Sequence, residues 1–174
     1  MATGESALVV AVPEAEPAVA AHRAALDTSA AAGMPAHVTV LFPFLPAERL
    51  DDAALAAVAR IVTAVPAFDV VLARVAWFGD RVVWVAPEPA EPFRALTLAV
   101  WRRFPEAPPY GSEHTDVVPH LTIGSGAPLE RLASAAEAVA GRLPIAARVE
   151  AVRLITRPGA TQRWRTAREF PLGR

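Results

Sequence analysis

Two four-residue strings, His37-Val38-Thr39-Val40 and His120-Leu121-Thr122-Ile123, carry the side chains best suited to chemistry. Each is a His, an apolar residue, a Thr and a β-branched apolar residue, and each comes just after a proline, Pro35 or Pro119. Side chains alternate faces along a strand. His37 and Thr39 are therefore expected on one face with Val38 and Val40 on the other, and His120 with Thr122 opposite Leu121 with Ile123. An imidazole, with an ordinary pKa of about 6.5, can accept a proton near neutrality while a second one donates. Hydroxyls on the same face can donate to the oxygens of an anion held between the rings. Phosphodiester cleavage without a metal asks for that set: a base for the nucleophile, an acid for the leaving oxygen, and donors for the non-bridging oxygens. The plain alternative is a pair of satisfied half-buried strand histidines beside threonines that simply favour strands. One string would not outweigh it; two equivalent ones do.

The elements that must position these groups can be read around them. Ala7 to Val12 reads as a buried strand, and Pro13 suits the first turn of a helix running to about Ala31. His37 to Leu45 is the first motif strand. Pro46 opens an Ala-rich helix, Ala47 to Val65, with Leu50, Leu55, Val58, Ile61 and Val62 at helical spacing. Phe68 to Phe78 and Arg81 to Ala86 form a hairpin around Gly79-Asp80, followed by a helix from about Pro92 to Phe104. A loop, Pro105 to Val118, leads into the second motif strand, Pro119 to Gly124; Pro128 opens a helix, Leu129 to Arg142. Strands near Ala147 to Thr156 and Gln162 to Leu172 close the chain.

This order contains a repeat. Glu48-Arg49-Leu50 follows the first histidine and Glu130-Arg131-Leu132 the second at nearly the same interval, and in each case a proline, Pro46 or Pro128, stands just ahead of the triplet. Motif strand, helix, strand, strand is written twice, over about 37–86 and 120–172. Repeated units often pack about a pseudo-twofold axis, which would bring the motif strands to a shared groove within one bilobal domain.

Composition narrows the function classes. The chain has 174 residues, 53% of them apolar, enough for a substantial core in one domain. A net charge of −1 with no dense basic run argues against a long nucleic-acid tract as partner. There is no Cys and no Lys, which removes disulfides, thiolate metal sites and a catalytic lysine. Beyond the two motif histidines stand only His22 and His114, with no metal-ligand spacing, so neither a metal nor another cofactor is expected. The N-terminus does not resemble a secretory signal and no apolar run reaches membrane-spanning length; a cytoplasmic protein without membrane contact is expected. The sequence leaves the oligomeric state open, a monomer included.

Weaker candidates surround the motifs. Tyr110 and Ser112 lie in the loop before the second motif and could line a groove; an ordinary solvated loop with Tyr110 packed on Pro108 or Pro109 is the alternative. Phe42 and Phe44 read as core or rim. In the expected last strand Gln162, Trp164 and Thr166 share one face, and Arg163 and Arg165 the other. Trp164, Arg163 and Arg165 could hold a base and a second phosphate; Trp164 as core and the arginines as solvated edge charges is the rival reading. His114 has no partner in sequence and stays outside the expected site.

The paired motifs, the doubled layout and Phe42-Pro43-Phe44 after the first motif resemble the 2H phosphoesterase superfamily, which includes proteins named 2′-5′ RNA ligases and RNA 2′,3′-cyclic phosphodiesterases. The resemblance runs from Ala7 to Leu172. It implies an α+β fold of two pseudo-twofold-related lobes, each an antiparallel sheet with helices, around a central groove. It implies metal-free chemistry, with His37 and His120 as the acid/base pair and Thr39 and Thr122 binding the phosphate. The leading expectation is hydrolysis of a 2′,3′-cyclic phosphate on an RNA end or a small nucleotide. The alternatives are ligation by the reverse reaction, hydrolysis of another cyclic nucleotide or an ADP-ribose cyclic phosphate, and a nucleotide- or RNA-end-binding module without chemistry.

Overall fold

The computed structural model describes residues 4–112 and 116–174, so His114 lies outside the described residues. The elements are β1 (Glu5–Ala11), α1 (Glu16–Leu26), α2 (Thr28–Ala31), β2 (His37–Leu41), α3 (Asp52–Thr63), β3 (Phe68–Phe78), β4 (Val82–Glu88), α4 (Glu91–Arg103), β5 (Leu121–Ser125), α5 (Leu129–Ala140), β6 (Ile145–Val149), β7 (Ala151–Arg157) and β8 (Arg165–Pro171). The single helix expected after Pro13 is broken. A 3₁₀ turn holds Pro13–Ala15, and Asp27 turns extended after α1 and accepts a hydrogen bond from the Ser29 amide at 3.0 Å, capping α2. Likewise α3 starts later than Pro46 suggested, because Asp51 accepts from the Ala54 amide at 2.8 Å and sets the N-terminus there.

The strands form two four-stranded antiparallel sheets, ordered β2-β1-β7-β8 and β5-β4-β3-β6. Both motif strands are edge strands, and β2 and β5 come together. The expected α+β architecture with two antiparallel sheets is what the chain adopts. The strand expected over Ala147 to Thr156 is two strands, parted at Glu150: β6 joins the second sheet and β7 the first. The last strand begins at Arg165, so Gln162 and Trp164 precede it, with the Trp164 amide donating to the Ala32 carbonyl at 2.8 Å. The strands that follow each motif do not all stay with it. β3 and β4 pair with β5 and β6, while β7 and β8 pair with β1 and β2.

Alternation does its expected work at the motifs. Val38, Val40, Leu121 and Ile123 are buried, at 0 to 2% exposure, while His37, Thr39, His120 and Thr122 remain partly accessible. The buried four belong to one continuous apolar cluster shared by both sheets. Gly124 shows how close the packing is: a Cβ there would stand 2.8 Å from Leu26 Cβ of α1 and 2.8 Å from Leu132 Cδ2 of α5.

Candidate active site

His37 sits opposite Ala11, and Thr39 opposite Val9, on one face of the first sheet. The Nδ1 of His37 lies 2.7 Å from the Pro35 carbonyl oxygen. A carbonyl only accepts, so Nδ1 carries the proton and Nε2 is the nitrogen that can exchange one. His120 repeats this geometry, with Nδ1 2.7 Å from the Val118 carbonyl oxygen. Both rings are thus fixed in the same tautomer by the carbonyl two residues earlier.

Burial pulls the His37 pKa down to about 4, against the pull of the Pro35 carbonyl in the other direction. The positive charge of Arg23 lowers it further, Asp27 opposes this, and a charge on His120 also disfavours protonation, which places the two motif histidines within electrostatic reach of each other. His37 is therefore neutral at pH 7.

Tyr110 joins the two motifs. Its hydroxyl shares a hydrogen bond with Thr39, and its ring lies at 6.3 Å and 30° from the His120 ring. Its amide donates to the Phe42 carbonyl at 2.6 Å. Burial pushes its hydroxyl above the usual phenol range, so it stays protonated. Tyr110, Gly111 and Ser112 have φ of 51°, 62° and 68°, a left-handed run that turns the Tyr110 side chain inward. Phe78 and Trp84 close on His120 from the second sheet, with centroids at 5.0 and 5.9 Å.

A cavity of about 440 Å³ opens beside His37 and Thr39. Tyr110, Phe42, Trp164 and Arg157 form its aromatic and cationic wall, and Ala7, Val9, Ser29 and Met34 line it further. The Arg157 guanidinium lies 4.5 Å over the Trp164 ring and pairs with Glu5. Phe42 meets Trp164 edge-on at 6.1 Å. Of the residues singled out in sequence, Tyr110 and Trp164 join His37 and Thr39 at the cavity; His120 and Thr122 lie beyond its lining, linked to it through Tyr110. Ser112 is exposed and does not line it. Arg163 and Arg165 are exposed and line a separate surface depression with Gln162, away from the histidines. Arg157 escapes a reading of the sequence; it lies two residues beyond Ile155 on β7, and register with Ala7 and Glu5 of β1 turns both to the cavity face. Phe42 is a wall of the cavity while Phe44 is core. Among the described residues, no three His, Asp or Glu side chains gather where they could hold a metal ion.

The model of the 2′-5′ RNA ligase superfamily matches residues 11–161. The chain belongs to this superfamily. As a 2H phosphoesterase it shares its fold with LigT of E. coli, whose ligand-free crystal structure is 17% identical over 100% of both chains with a TM-score of 0.62. LigT complexed with NADP+ gives 19% identity and 0.62, and LigT complexed with 3′-AMP 15% and 0.58, covering 100% and 99% of both chains respectively. No curated protein sequence matches the chain significantly. Among its described residues, this family member has no helix long and apolar enough to cross a membrane.

Proposed function

We propose that this 2H phosphoesterase hydrolyses a 2′,3′-cyclic phosphate, on an RNA end or a small nucleotide, through His37 and His120 and without a metal. The observation that carries this reading is the matched pair of Nδ1 contacts, 2.7 Å each, which sets both rings in the tautomer whose Nε2 exchanges the proton. Water attacks phosphorus in line; one ring, neutral, takes the water proton at Nε2 as the P–O bond forms, and the other, entering doubly protonated, gives its Nε2 proton to the ribose oxygen as that P–O bond breaks. Thr39 and Thr122 donate to the non-bridging oxygens, and Tyr110 offers a further hydroxyl beside Thr39. A neutral His37 enters able to accept a proton, and a bound phosphate anion raises its proton affinity. The chain acts as one bilobal domain, each motif coming from its own sheet.

The cavity fits the same reading. It has the size and apolar wall of a small-ligand site, and the relative that shares the fold binds NADP+ and 3′-AMP. Trp164 and Phe42 would meet a base or ribose, and Arg157 a neighbouring oxygen or ring face. Arg163, Arg165 and Ser112 have no part in this arrangement. The test is turnover of 2′,3′-cyclic mononucleotides and of an RNA with a cyclic-phosphate end, with EDTA present. Wild type should turn over at least one, and His37→Ala and His120→Ala should each lose about 10²- to 10⁴-fold. No turnover, or turnover indifferent to both substitutions, refutes the reading.

A further inference from the structure

We propose that Arg23 and Arg94 are positioning residues that orient His37 and His120, each by gripping the carbonyl just before the one to which its histidine is bonded. The proposal rests on the acid/base reading of the two histidines. Arg23 of α1 donates from Nη1 to the Met34 carbonyl at 3.2 Å, next to Pro35, whose carbonyl receives His37 Nδ1. Arg94 of α4 donates from Nε to the Val117 carbonyl at 3.0 Å, next to Val118, whose carbonyl receives His120 Nδ1. In both halves the gripped carbonyl is three residues before the histidine and the orienting carbonyl two before it.

The two clamps occupy equivalent places in the fold. β1, α1 and β2 run in the same order as β4, α4 and β5, and β1 pairs with β2 as β4 pairs with β5. The sequence does not show this, because the stretch from Arg94 to His120 is nearly twice as long as that from Arg23 to His37.

Fixing one carbonyl fixes the next because a peptide unit is planar. With the Met34 oxygen held, only φ and ψ of Pro35 separate it from the orienting carbonyl, and the proline ring holds φ. With the Val117 oxygen held, φ and ψ of Val118 remain, and Val118 precedes Pro119, which confines it to the extended region. The prolines beside the two motifs thus complete what the arginines begin. Arg23 is 2% exposed and pairs with Asp27 at 3.2 Å. Glu16, also on α1, accepts from the Ala36 amide at 2.7 Å, so the same helix holds the turn twice.

The test uses Arg94→Ala, Arg94→Lys and Arg23→Lys in the intact chain, with kcat and KM for a cyclic phosphate and 15N NMR of the imidazoles. Arg94 is half-exposed, so its truncation should leave the fold intact. The expected result for Arg94→Ala is a kcat lowered about 10- to 100-fold with KM nearly unchanged, as for a small misplacement of a reacting group. His120 should then mix Nδ1-H and Nε2-H tautomers while His37 keeps its signals; Arg94→Lys should retain more activity; Arg23→Lys should disturb His37 alone. Arg49→Ala, which removes an exposed pair with Glu106, should change nothing. Unchanged kcat and tautomers in folded Arg94→Ala, or disturbance of both histidines together, overturns the proposal. The NMR arm needs no substrate, so it decides the clamp even if no cyclic phosphate is turned over.

Discussion

The ring of Tyr110 lies nearly parallel to that of His120, at 6.3 Å and 30°, while its hydroxyl shares a hydrogen bond with Thr39 of the other motif strand. One side chain from a left-handed turn therefore spans the two His/Thr pairs. Tyr110→Phe keeps the ring and removes the bond to Thr39. A neutral hydrogen bond is worth about 0.5–1.5 kcal/mol, so kcat/KM should fall by about 2- to 10-fold. Tyr110→Ala should cost more, because His120 also loses its stacked neighbour. Equal activity in Tyr110→Ala and wild type would remove Tyr110 from the site.

The two threonines should act alike. Thr39→Val and Thr122→Val keep shape and strand preference while deleting one donor each. A lost donor to developing charge costs about 10²- to 10³-fold in kcat where it is fully engaged, and each variant should approach that range in steady-state kinetics. A loss confined to KM would show that the hydroxyls bind ground-state phosphate only.

The pH dependence of stability follows from His37. Its pKa is about 4 in the folded chain, against about 6.5 when unfolded. Between those values the unfolded chain takes up the proton and the folded chain does not, so stability falls as pH drops from about 6.5 to about 4. The integrated loss is on the order of 3 kcal/mol. Denaturant melts at pH 7 and pH 4.5 should differ less for His37→Gln than for wild type. Inorganic phosphate should raise the His37 pKa in an NMR titration.

Gly124→Ala tests the shared core. Its Cβ would meet Leu26 and Leu132 at 2.8 Å, both on packed helices. Overpacking of this kind costs about 1–3 kcal/mol, which should appear as a lower midpoint in thermal or denaturant unfolding. An unchanged midpoint would mean α1 and α5 can move back at no cost.

The placement of the two His/Thr pairs in the candidate site was legible because it depends on period-two alternation, which His37 to Val40 and His120 to Ile123 show plainly. The fold class followed from the repeat and the resemblance. The splitting of the 147–156 strand was hidden because only Glu150 separates two segments of equal strand character that enter different sheets. The break after α1 carried a signal, Asp27 followed by Thr28 and Ser29, that the apolar run around it masked. Arg157 at the cavity, and Arg163 and Arg165 away from it, depend on where β7 ends and how the 158–164 segment returns to Ala32, a contact between distant parts of the chain. The arginine clamps depend on helix placement and have no local pattern at all.

Between Val149 and Ala151 the chain leaves the β5-β4-β3-β6 sheet and enters the β2-β1-β7-β8 sheet. The stretch from β6 to β8 therefore completes both sheets: β6 closes one, and β7 and β8 close the other. A polypeptide emerging during synthesis holds both sheets unfinished, β2 with β1 and β5 with β4 and β3, until those three strands follow. The β5-β4-β3-β6 sheet has all its strands once Val149 has emerged, while the β2-β1-β7-β8 sheet waits for β8. Substitutions in β6 to β8, far from His37 in sequence, should then govern how much active protein a cell recovers.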